Sequence, residues 1–190
     1  MIKNSNFNKN QLNINLITMA EAGEITATEV KPLPTHDKLS HFFQSEALSD
    51  VTICNPVTQA NHKVHRVIIA SGSKYFLELF HNNKPEDVPQ FNFPKPIPTS
   101  STSTDDDIVR VLKYLYHSQD FAVIKEGINA SNVFALYSQA YVLQATNLIA
   151  ALETMIVEEL LNPENATQFF IEAIRFKSDK ISKACEELIT

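Results

Sequence analysis

Glycine is scarce in this chain: Gly23, Gly72 and Gly127 are the only three among 190 residues, and none neighbours another. Phosphate-cradling loops need glycines at fixed, close spacings, so nucleotide binding of that kind is excluded. Cysteine is scarcer still. Cys54 and Cys185 sit far apart in apolar surroundings, which reads as two buried, reduced thiols with no local signature of a catalytic Cys–His pair. No apolar run approaches the ~18 residues of a membrane-spanning helix, and the stretch 14–19 is too short and too interrupted for a secretory leader. Positive charge is also thin. Sixteen Lys and Arg stand against 22 Asp and Glu, for a net charge of -6, and no dense basic run offers itself to phosphates. These absences predict an intracellular chain, cytoplasmic or nuclear, with no membrane and no nucleic-acid partner. The sequons Asn129-Ala130-Ser131 and Asn165-Ala166-Thr167 then carry no meaning.

What is present is the composition of an ordinary globular protein, 44% hydrophobic and 20% charged, long enough for one core plus an appendage. Residues 1–35 stand apart. They are rich in Asn, Lys and Gln, carry isolated apolar residues, and end in Pro32 and Pro34, a composition that predicts a disordered tail; Met19 is a candidate true start. Order is expected from about residue 36. Leu39, Phe42, Phe43 and Ala47 recur at helical spacing, predicting a short amphipathic helix. A β-rich run at 51–54 and a second at 62–69, separated by turn residues, predict a hairpin. Ser71 and Ser73 precede a compact helix through Phe80, and residues 90–93 form a third strand candidate.

Residues 94–104 hold three prolines and a Ser/Thr tract, which predicts a flexible insertion. Thr104 reads as the N-cap of a helix whose first residues, Asp105, Asp106 and Asp107, suit a helix N-terminus. Its apolar stripe is Ile108, Val111, Leu112, Leu115 and Tyr116. Residues 121–124 read as a short edge strand. From Ser131 onward the stripes are all helical, with a start signal at Asn162-Pro163-Glu164 and a cap at Asp179.

Chemistry-bearing clusters are weak. His62 and His65, with Cys54, suggest a metal site, but strand positions three apart point to opposite faces. The three consecutive aspartates answer to the helix dipole better than to a cation. No catalytic residue, metal or cofactor is expected.

Four blocks of residues carry a resemblance. They are Ser49-Asp50-Val51-Thr52-Ile53; His65-Arg66-Val67-Ile68-Ile69-Ala70-Ser71-Gly72-Ser73-Lys74-Tyr75-Phe76; Leu112-Lys113-Tyr114-Leu115-Tyr116; and Ala140-Tyr141-Val142-Leu143-Gln144. In this order they resemble the signature of BTB/POZ domains. The resemblance implies an α+β fold over residues 36–160, a small three- to five-stranded sheet flanked by α-helices, followed by C-terminal helical pairs. Residues 161–190 resemble the start of the BACK-like helical extension that follows such domains. The resemblance further implies a homodimer, with Leu39, Phe42, Phe43 and Leu48 at the interface and Asp50 and Arg66 lining a charged pocket there. It implies docking of a cullin scaffold around Phe80, His81, Asn82, Asn83, Tyr116 and His117, in an adaptor that brings an unidentified protein client to a ubiquitin ligase. Other relatives self-associate in transcriptional or cytoskeletal assemblies without ligase work. Two further relatives, of the channel-tetramerisation and Skp types, share the fold but assemble differently. Three departures stand out: the insertion at 94–104, His117-Ser118 where the family often has Thr-Gly, and Phe80-His81-Asn82, which lacks the glutamate of the cullin-binding motif.

Overall fold

The computed structural model describes residues 39–43, 45–56, 58–83, 89–101 and 104–190. The tail expected at 1–35, and the question of Met19, lie outside the described residues.

Three strands form a small mixed sheet, β1 (Val51–Cys54), β2 (Asn61–Val64) and β3 (Gln90–Asn92), in the order β2-β1-β3. The most apolar strand takes the centre. Val51 and Ile53 are buried and face Val64 and His62 across an antiparallel pair. On the other side β3 runs parallel, with Ile53 opposite Phe91. The edge strand β2 exposes Asn61 and Lys63, polar residues that discourage edge pairing.

The described residues form eight α-helices, the first two between β2 and β3 and the rest after the sheet: α1 (Arg66–Ser71), α2 (Lys74–Asn82), α3 (Asp105–Tyr116), α4 (Ala122–Lys125), α5 (Val133–Val142), α6 (Thr146–Met155), α7 (Ala166–Phe176) and α8 (Asp179–Ile189). Helix α5 is the axis of the core. Every residue from Val133 to Ala140 is buried, as expected of a helix apolar on all sides. Helix α3 buries Ile108, Val111, Leu112 and Leu115 on one face, and its first turn is closed by Asp107, whose carboxylate accepts the Thr104 N–H at 2.7 Å. Helix α2 starts at Ser73, whose hydroxyl accepts the Phe76 N–H at 3.3 Å and donates to the Leu143 carbonyl at 2.7 Å. The turn between α1 and α2 passes so close to α3 that a Cβ on Gly72 would stand 2.6 Å from the Leu115 side chain. Helix α6 widens at its end into a π-helical turn, Ile156–Leu160, closed by the Leu161 N–H donating to the Ile156 carbonyl at 2.8 Å.

The architecture is therefore the α+β arrangement expected, and both cysteines are buried and free. Several local expectations need correction. The helix at 39–47 is only a three-residue 3-10 turn, Ser40–Phe42. The second β run ends at Val64, because α1 begins at Arg66 despite three β-branched residues. The carboxylate of Asp50 accepts the first amide of that helix, Arg66 N–H, at 2.8 Å, and the His65 carbonyl accepts from Ile68 and Ile69. Residues 121–124 are no strand. Asp120 Oδ1 accepts the Ala122 N–H at 3.0 Å, and Arg110 Nη1 donates to the carbonyls of Ile124 and Glu126 at 2.8 and 2.7 Å, closing both ends of α4. Pro163 does not open a helix either. Asn162 Oδ1 accepts from the Glu164 and Asn165 amides at 3.0 and 3.1 Å, and α7 starts three residues later. The cap of α8 is Ser178, which accepts the Ile181 N–H at 3.3 Å, with Asp179 its first helical residue.

Candidate functional site

The segment that leads into β1 carries most of the residues implicated in self-association, and the structure divides them by exposure. Phe42 and Phe43 turn inward. Their rings lie 5.2 Å from His65 and 5.6 Å from Tyr116, and Phe43 also meets His117 at 6.3 Å. Leu39 is 40% exposed and Leu48 82% exposed. Leu48 sits in a tight turn at φ 63, the left-handed region that a branched side chain enters only when its surroundings impose it. Here they do. His65 Nε2 lies 2.8 Å from the Ala47 carbonyl, and the Ser49 hydroxyl donates to the Glu46 carbonyl at 3.0 Å.

Asp50 and Arg66 come together, as the resemblance implies. Besides the backbone contact, Arg66 Nε donates to the Asp50 carbonyl at 3.5 Å. The guanidinium lies 4.9 Å over the ring of Phe80, and Arg66 is only 7% exposed. Near these two residues in the chain are apolar residues in water: Leu48, two residues before Asp50, and Val67, next to Arg66 and 77% exposed.

The residues implicated in docking a scaffold separate into two neighbourhoods. Phe80 is half-buried, stacked on Phe76 at 6.0 Å and edge-on to Phe91 at 5.9 Å. His81 and Asn82 are exposed, and Asn83 Nδ2 donates to the Leu79 carbonyl at 2.6 Å. At the end of α3, Tyr116 is 1% exposed. Its side chain is a core post and offers no docking surface; burial pushes its phenol up to about 12. His117 beside it is half-buried.

A cleft of about 480 Å³ opens between β2 and α3, lined in part by Phe43, Glu46, His62, Lys63, Val109 and Tyr116. Its charged groups are engaged with one another. Lys63 Nζ lies 2.6 Å from Glu46 Oε2, and both side chains are largely in water, where such a pair contributes little. His62 Nε2 lies 3.2 Å from Asp105 Oδ1. Asp105 also accepts from Asn55 Nδ2 at 3.0 Å and from the Thr58 hydroxyl at 3.5 Å. Burial works against its charge, but these hydrogen bonds and the His62 ring outweigh it and hold its carboxyl below the usual range. Asp105 is thus a tie between the hairpin turn and α3, a role composition did not reveal. His62 and His65 serve different partners. Among the described residues no three His, Cys, Asp or Glu side chains gather to hold a metal, and no helix is long and apolar enough to cross a membrane.

Compared with known families, residues 39–160 match the BTB/POZ domain. No curated protein matches the chain.

Proposed function

This chain belongs to the BTB/POZ domain family, and from that membership we propose that it is a protein-interaction adaptor that pairs with a second copy of itself across the face built on Asp50 and Arg66. One observation carries the reading: two apolar side chains, Leu48 and Val67, which flank Asp50 and Arg66 in the chain, are left in water. Exposed apolar patches rimmed by polar groups mark interaction surfaces. A second copy laid on this face would cover both residues and the partly exposed Leu39. Phe42 and Phe43 would then act from behind, holding the segment in shape. The chain at micromolar concentration is expected to elute with twice its mass by light scattering. Leu48→Glu is expected to give a folded monomer. A monomeric wild-type chain contradicts the reading.

A finer reading is that this adaptor links an unidentified client to a cullin scaffold. Its support is the helical pair α7–α8 that follows the matched domain. With Phe80 and Tyr116 turned inward, the exposed residues left for such docking are His81 and Asn82, with His117 at the margin. The absence of a glutamate in Phe80-His81-Asn82 favours the alternative, self-association in transcriptional or cytoskeletal assembly without ligase work. A pull-down with a cullin N-terminal domain separates the two. Retention abolished by His81→Glu supports docking, and no retention by the wild-type dimer supports the alternative.

A further inference from the structure

The segment between β3 and α3, residues 93–101, is held against the core at several points. At its start the Phe93 N–H donates to the Cys54 carbonyl at 2.8 Å, extending the sheet, and the Phe93 ring is buried. Midway, the Ser138 hydroxyl of α5 donates to the Ile97 carbonyl at 2.8 Å. Further on, the Ser101 hydroxyl donates to the Ser131 carbonyl. Between these last two anchors, the Ser100 N–H donates to Glu172 Oε1 at 2.8 Å.

Glu172 belongs to α7, beyond residue 160 where the matched domain ends. It is 0% exposed, and its other carboxylate oxygen receives Arg175. A fully buried carboxylate is costly unless its oxygens are occupied, so the strap amide is part of what permits this burial. The helical pair also touches the core through Phe134–Phe169 at 5.0 Å and Tyr137–Phe176 at 4.9 Å. Glu153 of α6 accepts from the Tyr137 hydroxyl at 2.9 Å and from the Ser178 hydroxyl at 2.6 Å. Aromatic packing tolerates sliding. A directional bond to a buried carboxylate does not.

We propose that residues 93–101 are a clasp that locks the α7–α8 pair to the BTB core, so that the pair cannot swing at the Leu161–Asn162 connection. The clasp joins sheet, α5 and α7 in one line of hydrogen bonds.

Two substitutions that leave α7 and α8 untouched test this in the full chain by hydrogen exchange and mass spectrometry. Ser100→Pro removes the amide that Glu172 accepts, and Ser138→Ala removes the anchor on Ile97. Both are expected to speed exchange across 166–189, Ser100→Pro by roughly ten- to a hundredfold because a hydrogen bond to a charged group is lost. Exchange in α3 and α5 should stay at its wild-type rate. Unchanged exchange across 166–189 in both variants overturns the clasp, since packing alone then holds the pair. Equal acceleration in α3 also overturns it, because the pair and the core would then open as a single unit.

Discussion

Tyr116 and His65 hold each other through three atoms. The Tyr116 hydroxyl accepts the His65 backbone N–H at 2.9 Å and stands 2.8 Å from the ring Nδ1. The other ring nitrogen is 2.8 Å from the Ala47 carbonyl, which can only accept. Hence Nε2 carries a proton, which it donates to that carbonyl, and the tyrosine oxygen serves both the backbone N–H and Nδ1 of the same histidine. The arrangement connects the end of α3, the start of α1 and the turn that displays Leu48.

Removing the hydroxyl should expose that dependence. Tyr116→Phe leaves a buried amide and a buried ring nitrogen without their partner, an expected loss of about 1–3 kcal/mol. Urea unfolding should show a lower midpoint with an unchanged slope. A midpoint equal to wild type would mean that water takes over the hydroxyl's place.

At Gly72 the expected fault is steric. A methyl group there meets the buried Leu115 side chain at 2.6 Å, so Gly72→Ala should cost about 1–3 kcal/mol by overpacking, read as a fall in Tm. Gly72→Ala with Leu115→Ala should lose less than the two single changes summed, because the second removes the clash made by the first.

Two aspartates two residues apart should respond to acid in opposite senses. Asp105 is held below 3.8 in the folded chain. Its contribution is present above the unfolded value and lost as pH falls through the lower folded one. Asp105→Asn should therefore be weaker than wild type at pH 7, and the gap should close in strong acid. Asp107 is the reverse: burial pushes its carboxyl above 3.8, against the hydrogen bonds from Thr104. Its charge costs stability above the raised folded value, and that cost disappears as pH falls through it. Asp107→Asn should accordingly compare best with wild type near pH 7 and lose its relative advantage below 3.8. Urea midpoints of both variants across this range decide the matter.

Both thiols should be silent in the native chain. Cys54 and Cys185 are buried, and burial raises the Cys185 thiol, with Glu186 adding to the shift. A thiol-specific reagent at pH 8 should label neither cysteine until denaturant is added, and then both. Rapid labelling of Cys185 before unfolding would mean that α8 frays from the core.

The family was legible because its signature is made of contiguous blocks, and each block folded as a unit: β1 with its leading Asp50, α1–α2 with Gly72 between them, and the ends of α3 and α5. The helical stripes were legible for the same local reason. What failed to show in the sequence depends on distant partners. The run Val64 to Ile69 looks like strand until Asp50, sixteen residues away, and Tyr116, fifty-one away, supply the bonds that start a helix at Arg66. Residues 121–124 look like strand until Arg110 reaches across to their carbonyls. The residues expected at an interface could be named but not sorted. The resemblance puts Phe42, Phe43 and Leu48 on the same footing, while the structure turns the phenylalanines onto His65 and Tyr116 and leaves the leucine outside.

The wide turn at Ile156–Leu160 makes the chain's exit a matter of counting. Each residue of an ordinary helix rotates the next by roughly 100°, and a π turn accommodates one residue more than that geometry allows. Five residues of such a turn sweep about the same angle as four of an ordinary helix, so deleting one residue here would restore a regular coil and leave everything downstream pointing nearly the same way. Length here is therefore more forgiving than identity is in the core, and a one-residue deletion at 157–160 should be less damaging than a charged substitution at the fully buried Ile156.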